Sequence, residues 1–398
     1  MIPYATFTYV VLAIFAGVPS ILLGLGGRIG RLTLLTRLAL LVSTATMLAL
    51  QYSDVAVHWP FGATRDIWLV VAFAALQWVT ALVFLRVRAR VDHHWPFFVA
   101  LALGLSPLIA AKVVPAVAPD STFGFLGISY VTFRALDVIF GIQDRLIRSL
   151  PAVPIFAYLF FFPTISAGPI DRFRRFQQDW ERPRDRAALL NDVDAAVHHI
   201  FTGLLYKFIL AALIRDNWLA AATDGTGLLN GVSYMYAYSL YLFFDFAGYS
   251  AFAIGISYLF GIHTPENFNR PFLARDIRDF WERWHISLSA WFRDHIYLRS
   301  VLAMTKRGWF KSRYTSSYIG FILTFGLMGF WHGLALHYIL YGFYHAALLI
   351  GHDLFTRGNK RRRWWGRGRA WQAAGIFLTV HAVCFGFLLF SGRLTGGG

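Results

Sequence analysis

The stretch Ala5–Leu25, ATFTYVVLAIFAGVPSILLGL, runs for 21 residues without a charged side chain. As a helix it would extend about 30 Å, which matches the hydrocarbon core of a bilayer. Met1–Val10 lacks the basic n-region of a cleavable signal peptide, and the apolar run continues to Leu25, so the segment is expected to stay as a membrane-spanning helix. Three further runs follow: Leu32–Gln51, Ile67–Leu85 and Trp95–Val114. Arg28, Arg31 and Arg37 follow the first run, and Arg86, Arg88 and Arg90 follow the third. Loops rich in Lys and Arg stay in the cytoplasm, which places the N-terminus outside.

The composition agrees with these runs. Hydrophobic residues make up 57% of the 398 and charged residues 15%, against about 25% charged in a soluble protein, and the mean hydropathy is +0.52. The fold class is therefore all-α and polytopic. A single cysteine, Cys384, excludes a disulfide scaffold and a Cys-based metal site. The 38 Phe, 18 Tyr and 14 Trp exclude a disordered chain. Basic residues exceed acidic ones by 37 to 21. They lie mainly between apolar runs, where topology explains them, so nucleic acid is not expected as a partner.

A fifth run, Phe125–Gly141, returns to a loop with Arg145 and Arg148. Ile155–Gly168 is too short to cross, is broken by Pro163 and preceded by Pro151 and Pro154, and has basic residues on both sides, which predicts a re-entrant segment. Further crossings are expected at Leu190–Leu213, Val232–Ile262, Tyr318–Phe330, Leu336–Gly351 and Ala370–Phe390, the last preceded by Lys360–Arg363, Arg367 and Arg369. The expectation is about ten crossings, both termini outside, and one domain over residues 1–398 with a frayed tail at Gly396–Gly398. Taken as one helix, Ala274–Ser300 gathers Phe280, Trp281, Trp284, Leu288, Trp291 and Phe292 on an arc of about 120°, with Glu282, Arg283, Arg293 and Asp294 outside it and His285 at its edge. Such a helix lies in the membrane–water interface or packs its apolar face against the bundle from the cytoplasmic side, and His285 at the edge of the arc can point into the protein while remaining near water.

Three places could carry chemistry. In Gly329-Phe330-Trp331-His332-Gly333 two apolar runs meet at a histidine, and the 34 residues from Tyr318 to Gly351 are short for two crossings, so the turn is expected below the surface. His332 is then either a base for a hydroxyl or a hydrogen-bonded structural group. Arg278–Arg283, with Trp281, Trp284 and His285, reads as an aromatic interfacial anchor. Asp245, inside an apolar run, needs a partner: an Arg, a His or backbone donors. His332 and His337 have no carboxylate between them, so no H-E-x-x-H pattern exists and no metal site is expected.

Taken together, Asp245-Phe246-Ala247-Gly248-Tyr249-Ser250, Asn267-Phe268-Asn269-Arg270-Pro271-Phe272, Asp279 through Ser289 and the Gly329–Gly333 turn resemble the membrane-bound O-acyltransferases. Phe125–Arg134 and Gly168–Phe173 are similar to segments of the family's D-alanyl-transferring branch. The resemblance implies a ring of tilted helices around a thin centre, with a funnel whose base holds His332. His285 and His332 would be its two histidines, with Asp245, Arg283 and Trp331 as supporting polar groups. It further implies that D-alanine comes from the 4'-phosphopantetheine thioester of a cytosolic carrier protein and goes to teichoic acid hydroxyls outside, with other membrane proteins of the D-alanylation pathway assisting. No cofactor would be bound by the chain itself, and its surroundings are membrane lipid. Carrier proteins are generally acidic, and Arg299, Lys306, Arg307, Lys311 and Arg313 beside Val301 and Leu302 suit a docking surface. O-acetyl transfer to an alginate-type exopolysaccharide is the second reading. A transporter of an anionic polymer is the third, without the repeated broken helices that would support it.

Overall fold

The computed structural model describes residues 3–26, 29–52, 65–118, 124–366 and 368–396. Arg28, Arg367, Gly397 and Gly398 lie outside the described residues. The helices in chain order are α1 Phe7–Gly26, α2 Ile29–Tyr52, α3 Arg65–Arg88, α4 Trp95–Val117, α5 Ile128–Gln143, α6 Ala152–Leu159, α7 Phe173–Glu181, α8 Arg186–Gly203, α9 Ala220–Asp224, α10 Leu228–Leu259, α11 Ile277–Trp281, α12 Ile286–Phe292, α13 Leu298–Lys306, α14 Arg313–His332, α15 Leu336–Arg362 and α16 Arg369–Phe390. Among the described residues no β-strand forms, and one isolated antiparallel bridge joins Phe268 to Trp284. The chain is all-α and polytopic.

Seven described helical segments are long and apolar enough to cross a membrane: Phe7–Gly26, Leu34–Gln51, Leu69–Arg88, Trp95–Pro115, Arg186–Asp224, Leu228–Leu259 and Arg369–Phe390. The expectation of about ten included three other segments, the helices now seen as α5, α14 and α15. Each carries more polar or charged side chains than a lipid-facing helix.

The contacts divide into two compact units, residues 1–204 with 248–265, and residues 205–247 with 266–398. In the first, α5 is buried nearly all round, including Arg134 and Asp137. Arg134 is 1% exposed and donates to the carbonyls of Tyr158 (3.0 Å), Leu159 (3.1 Å) and Thr164 (2.6 Å). Those carbonyls are freed where the expected short segment breaks, between α6 and a 3-10 turn at Phe162–Thr164. A guanidinium with five donors can satisfy several orphan carbonyls at once, which is why a buried charge is tolerated here. The basic stretch after it is not a loose solvated loop. Arg172 pairs with Asp137 (2.8 Å), Arg175 with Asp179 (2.7 Å) and Arg184 with Asp192 (2.9 Å).

In the second unit, α14 and α15 form a tight antiparallel hairpin. Glycines let the backbones touch: a Cβ on Gly329 would lie 2.6 Å from the Tyr338 carbonyl oxygen, and one on Gly342 would run into the Phe325 carbonyl. The helices have 20 and 27 residues, overrunning the expected runs into Arg313 and Arg362. The hairpin is therefore not too short to cross, and shortness gives no reason to place its turn at depth. Gly342→Ala should cost about 3 kcal/mol, because the obstructing atom is backbone rather than a side chain that can swing away. Gly351→Ala on the same helix, where nothing lies within 4 Å, should be neutral or slightly stabilising. Thermal midpoints of the detergent-purified variants check the contrast.

Candidate active site

The expected continuous helix over Ala274–Ser300 is interrupted at its histidine. α11 is capped by Asp276, whose carboxylate accepts from the Arg278 and Asp279 amides at 2.9 and 3.0 Å, and it ends at Trp281. His285 then takes a left-handed conformation, φ 44° and ψ 50°, and α12 sets off afresh. A wheel drawn across this break misplaces His285 itself, although Leu288, Trp291 and Phe292, which it puts on the apolar arc, are buried. His285 is not at a wet rim but 4% exposed, with the Phe246 ring edge-on at 4.7 Å.

Asn267 holds it there. The Ser287 amide (3.3 Å) and hydroxyl (2.8 Å) both donate to Asn267 Oδ1. A backbone N–H can only donate, so that atom is the amide oxygen. His285 Nδ1, 3.1 Å from the same oxygen, must then carry the proton, which leaves Nε2 with a free lone pair. Burial first, and then the charge of His332, press the His285 pKa down to about 3. The imidazole is therefore neutral at physiological pH, and the two histidines lie within electrostatic reach of each other.

A depressed histidine pKa has a direct signature in stability. Unfolded His285 takes up a proton below its ordinary value of 6.5, whereas the folded form does not until about pH 3, so folding stability falls as pH drops through that window. His285→Gln, which can still donate to Asn267, removes the term. The wild-type thermal midpoint should therefore fall more steeply than the variant's between about pH 6.5 and 4. Parallel curves would contradict the buried neutral state.

His332 is the last residue of α14. The extended Gly333 follows, at φ 174° and ψ 171°. The half-buried imidazole packs against Trp331 (4.6 Å between centroids), Phe390 (4.9 Å, edge-on), Tyr338 (6.0 Å) and Tyr341 (6.2 Å). Tyr341 also touches His345 (4.6 Å), a fully buried histidine that sequence reasoning missed. Neither His345 ring nitrogen has a hydrogen-bond partner. Its only sequence signal was a polar residue one turn from Tyr341 on an otherwise apolar helix face.

The supporting residues separate. Arg283 binds Asp279 at 2.5 Å and the Asn269 carbonyl at 3.4 Å, bracing the turn that delivers His285. Trp331 lies beside His332. Asp245 pairs with Lys207, not with the Arg, His or backbone donors expected for it. Val301 is half-buried, its methyl in the space beside Gly320 of α14, whereas Leu302 is 54% exposed. A cavity of about 520 Å³ opens beside α12, walled by Trp281, Phe292, Tyr297 and Phe325, with Arg278, Glu282 and Arg293 also lining it.

A deep neutral histidine coupled to a second, half-buried one is an arrangement suited to moving a proton from a hydroxyl, and residues 139–391 match the MBOAT, membrane-bound O-acyltransferase, family. The chain belongs to this family. It is similar to the teichoic acid D-alanyltransferase of Bacillus subtilis (strain 168), at 39% identity over 99% of this chain and 98% of that protein. A teichoic acid D-alanyltransferase of Lacticaseibacillus rhamnosus is 44% identical over 75% of this chain and 76% of its own length. A probable alginate O-acetylase AlgI of Pseudomonas syringae pv. tomato (strain ATCC BAA-871 / DC3000) is 30% identical over 62% of this chain and 45% of its own. The protein is thus a multi-pass membrane acyltransferase of the MBOAT family.

Proposed function

We propose that the protein moves D-alanine from the thioester of a phosphopantetheinyl carrier to a hydroxyl of teichoic acid. The observation that carries this reading is similarity over nearly the whole chain to a teichoic acid D-alanyltransferase, against partial similarity to an alginate O-acetylase. The acceptor hydroxyl gives its proton to His332 while its oxygen attacks the thioester carbonyl. The C–S bond then breaks, and the leaving thiolate takes the proton back from the imidazolium. A thioester is already activated, so a base and two positioned substrates suffice. His285, neutral and fixed by Asn267, orients the donor arm through its free Nε2. The 520 Å³ cavity, whose wall includes Ile286 beside His285, suits that arm. Tyr297, in its wall, is one helical turn from Val301, so a carrier seated at Leu302 lies close to the entrance.

The positive-inside reading of the basic loops supports a carrier on the cytoplasmic side, with both termini and the acceptor outside. The competing reading is O-acetyl transfer to an alginate-type polymer. Protein in vesicles would be offered D-alanyl and acetyl carrier thioesters against teichoic acid and alginate. D-alanyl ester on teichoic acid is the expected product, and acetyl ester on alginate alone would replace this reading by the competing one.

A further inference from the structure

The turn joining α15 to α16 concentrates positive charge, and none of its described cations makes an ion pair among the described residues. Lys360, Arg361, Arg362, Arg363 and Arg369 are all exposed, and no Asp or Glu follows Asp353 in the sequence. Asp353 is itself engaged by Arg357 at 3.0 Å and by the Tyr318 hydroxyl at 2.7 Å. Lys and Arg at a helix C-terminus are favourable against its dipole, which accounts for one or two of them. Six cations in the ten residues 360–369 of the sequence repel one another unless an external anion is shared among them.

The turn is built rather than loose. The Asn359 side chain accepts from the Trp365 amide at 2.7 Å and donates to its carbonyl at 3.0 Å. The Asn359 carbonyl accepts from Arg363 at 2.8 Å, and Arg363 takes the left-handed conformation, φ 51°, that closes the turn. Around this frame stand aromatic rings. Trp364 (53% exposed) carries the Arg362 guanidinium over its face at 5.2 Å, Trp371 (41% exposed) packs on Trp365 at 4.8 Å, and Phe355 (42% exposed) adjoins both Trp364 and Trp365. α16 starts at Arg369 and is long and apolar enough to span the membrane, so the turn sits at the root of a spanning helix, at the headgroup level. Exposed tryptophans belong at that level, and clustered Lys and Arg beside them attract anionic headgroups.

We infer that Phe355, Arg361, Arg362, Arg363, Trp364 and Trp371 form a binding site for the phosphodiester headgroup of an anionic phospholipid. The guanidiniums of Arg361, Arg362 and Arg363 meet the phosphate, while Trp364 and Trp371 lie against the glycerol and upper acyl region. An acidic protein would also feel the charge. The aromatic apron at the root of a spanning helix favours lipid.

Native mass spectrometry of the full-length protein in uncharged detergent, titrated with phosphatidylglycerol, phosphatidylcholine or soluble glycerol phosphate, tests the assignment. Retention of phosphatidylglycerol should exceed that of phosphatidylcholine by about tenfold, and glycerol phosphate should not compete at equal concentration. Arg361→Gln/Arg362→Gln/Arg363→Gln should abolish the preference, while Arg90→Gln/Arg148→Gln, two exposed cations of other loops, should keep it. If the triple variant melts lower than wild type, Arg362→Gln and Arg363→Gln singly carry the same comparison. Equal retention of both lipids, competition by glycerol phosphate, or a triple variant that keeps its lipid preference and loses an acidic carrier protein instead, each overturns the assignment.

Discussion

His332→Ala is expected to yield a folded protein in which transfer from loaded carrier to acceptor is slower by roughly 100-fold or more, the scale of lost general-base assistance. The side chain ends α14 and is only half-buried, so its removal forfeits the ring contacts to Trp331 and Phe390 without opening the helix hairpin. A thermal midpoint near wild type would confine the effect to chemistry. His285→Ala, in contrast, removes one of the partners of Asn267 and disturbs the backbone turn as well as the site, so its loss of activity should come with a loss of stability. Single-turnover transfer by the two variants separates the roles. Wild-type rates in folded His332→Ala would remove that residue from the mechanism.

The second large effect is expected at the carrier-docking face. Leu302→Asp should weaken carrier binding about 30-fold, because an apolar anchor at an interface centre is worth about 2 kcal/mol and an unpaired carboxylate there must be desolvated. Lys311→Ala, at the charged rim, should change affinity little and mainly reduce the dependence of binding on salt. Val301→Asp is a poorer probe than sequence alone would suggest. Its side chain fills the space beside Gly320, so the variant loses α13–α14 packing along with any contact to a partner. Binding of purified carrier at two salt concentrations checks both variants, and an unchanged affinity for Leu302→Asp moves the docking site elsewhere.

What the sequence made legible is what membranes dictate. Mostly apolar runs set off by Lys and Arg located all seven helices that are long and apolar enough to span, because lipid leaves little freedom in composition. α5 was harder: Arg134 and Asp137 are buried in protein, and hydropathy does not distinguish a protein-facing helix from a lipid-facing one. The break at His285 was invisible because periodicity presupposes a continuous helix, and neither Gly nor Pro marks the left-handed residue. Instead, the turn is set by Asn267, 18 residues upstream. Asp245 was known to need a partner, but Lys207 lies 38 residues away, and only packing brings such pairs together. The two family histidines were found through motif resemblance, and their electrostatic coupling required coordinates.

Mass spectrometry of the acceptor tests the central claim most directly. Protein reconstituted in vesicles would be incubated with D-alanyl carrier on the side of Leu302 and teichoic acid on the other. The account predicts a D-alanyl ester on the teichoic acid hydroxyls with wild-type protein, its near absence with His332→Ala, and free carrier thiol in matching amount. Carrier that stays loaded beside wild-type protein, or ester formation that is indifferent to His332, would contradict it.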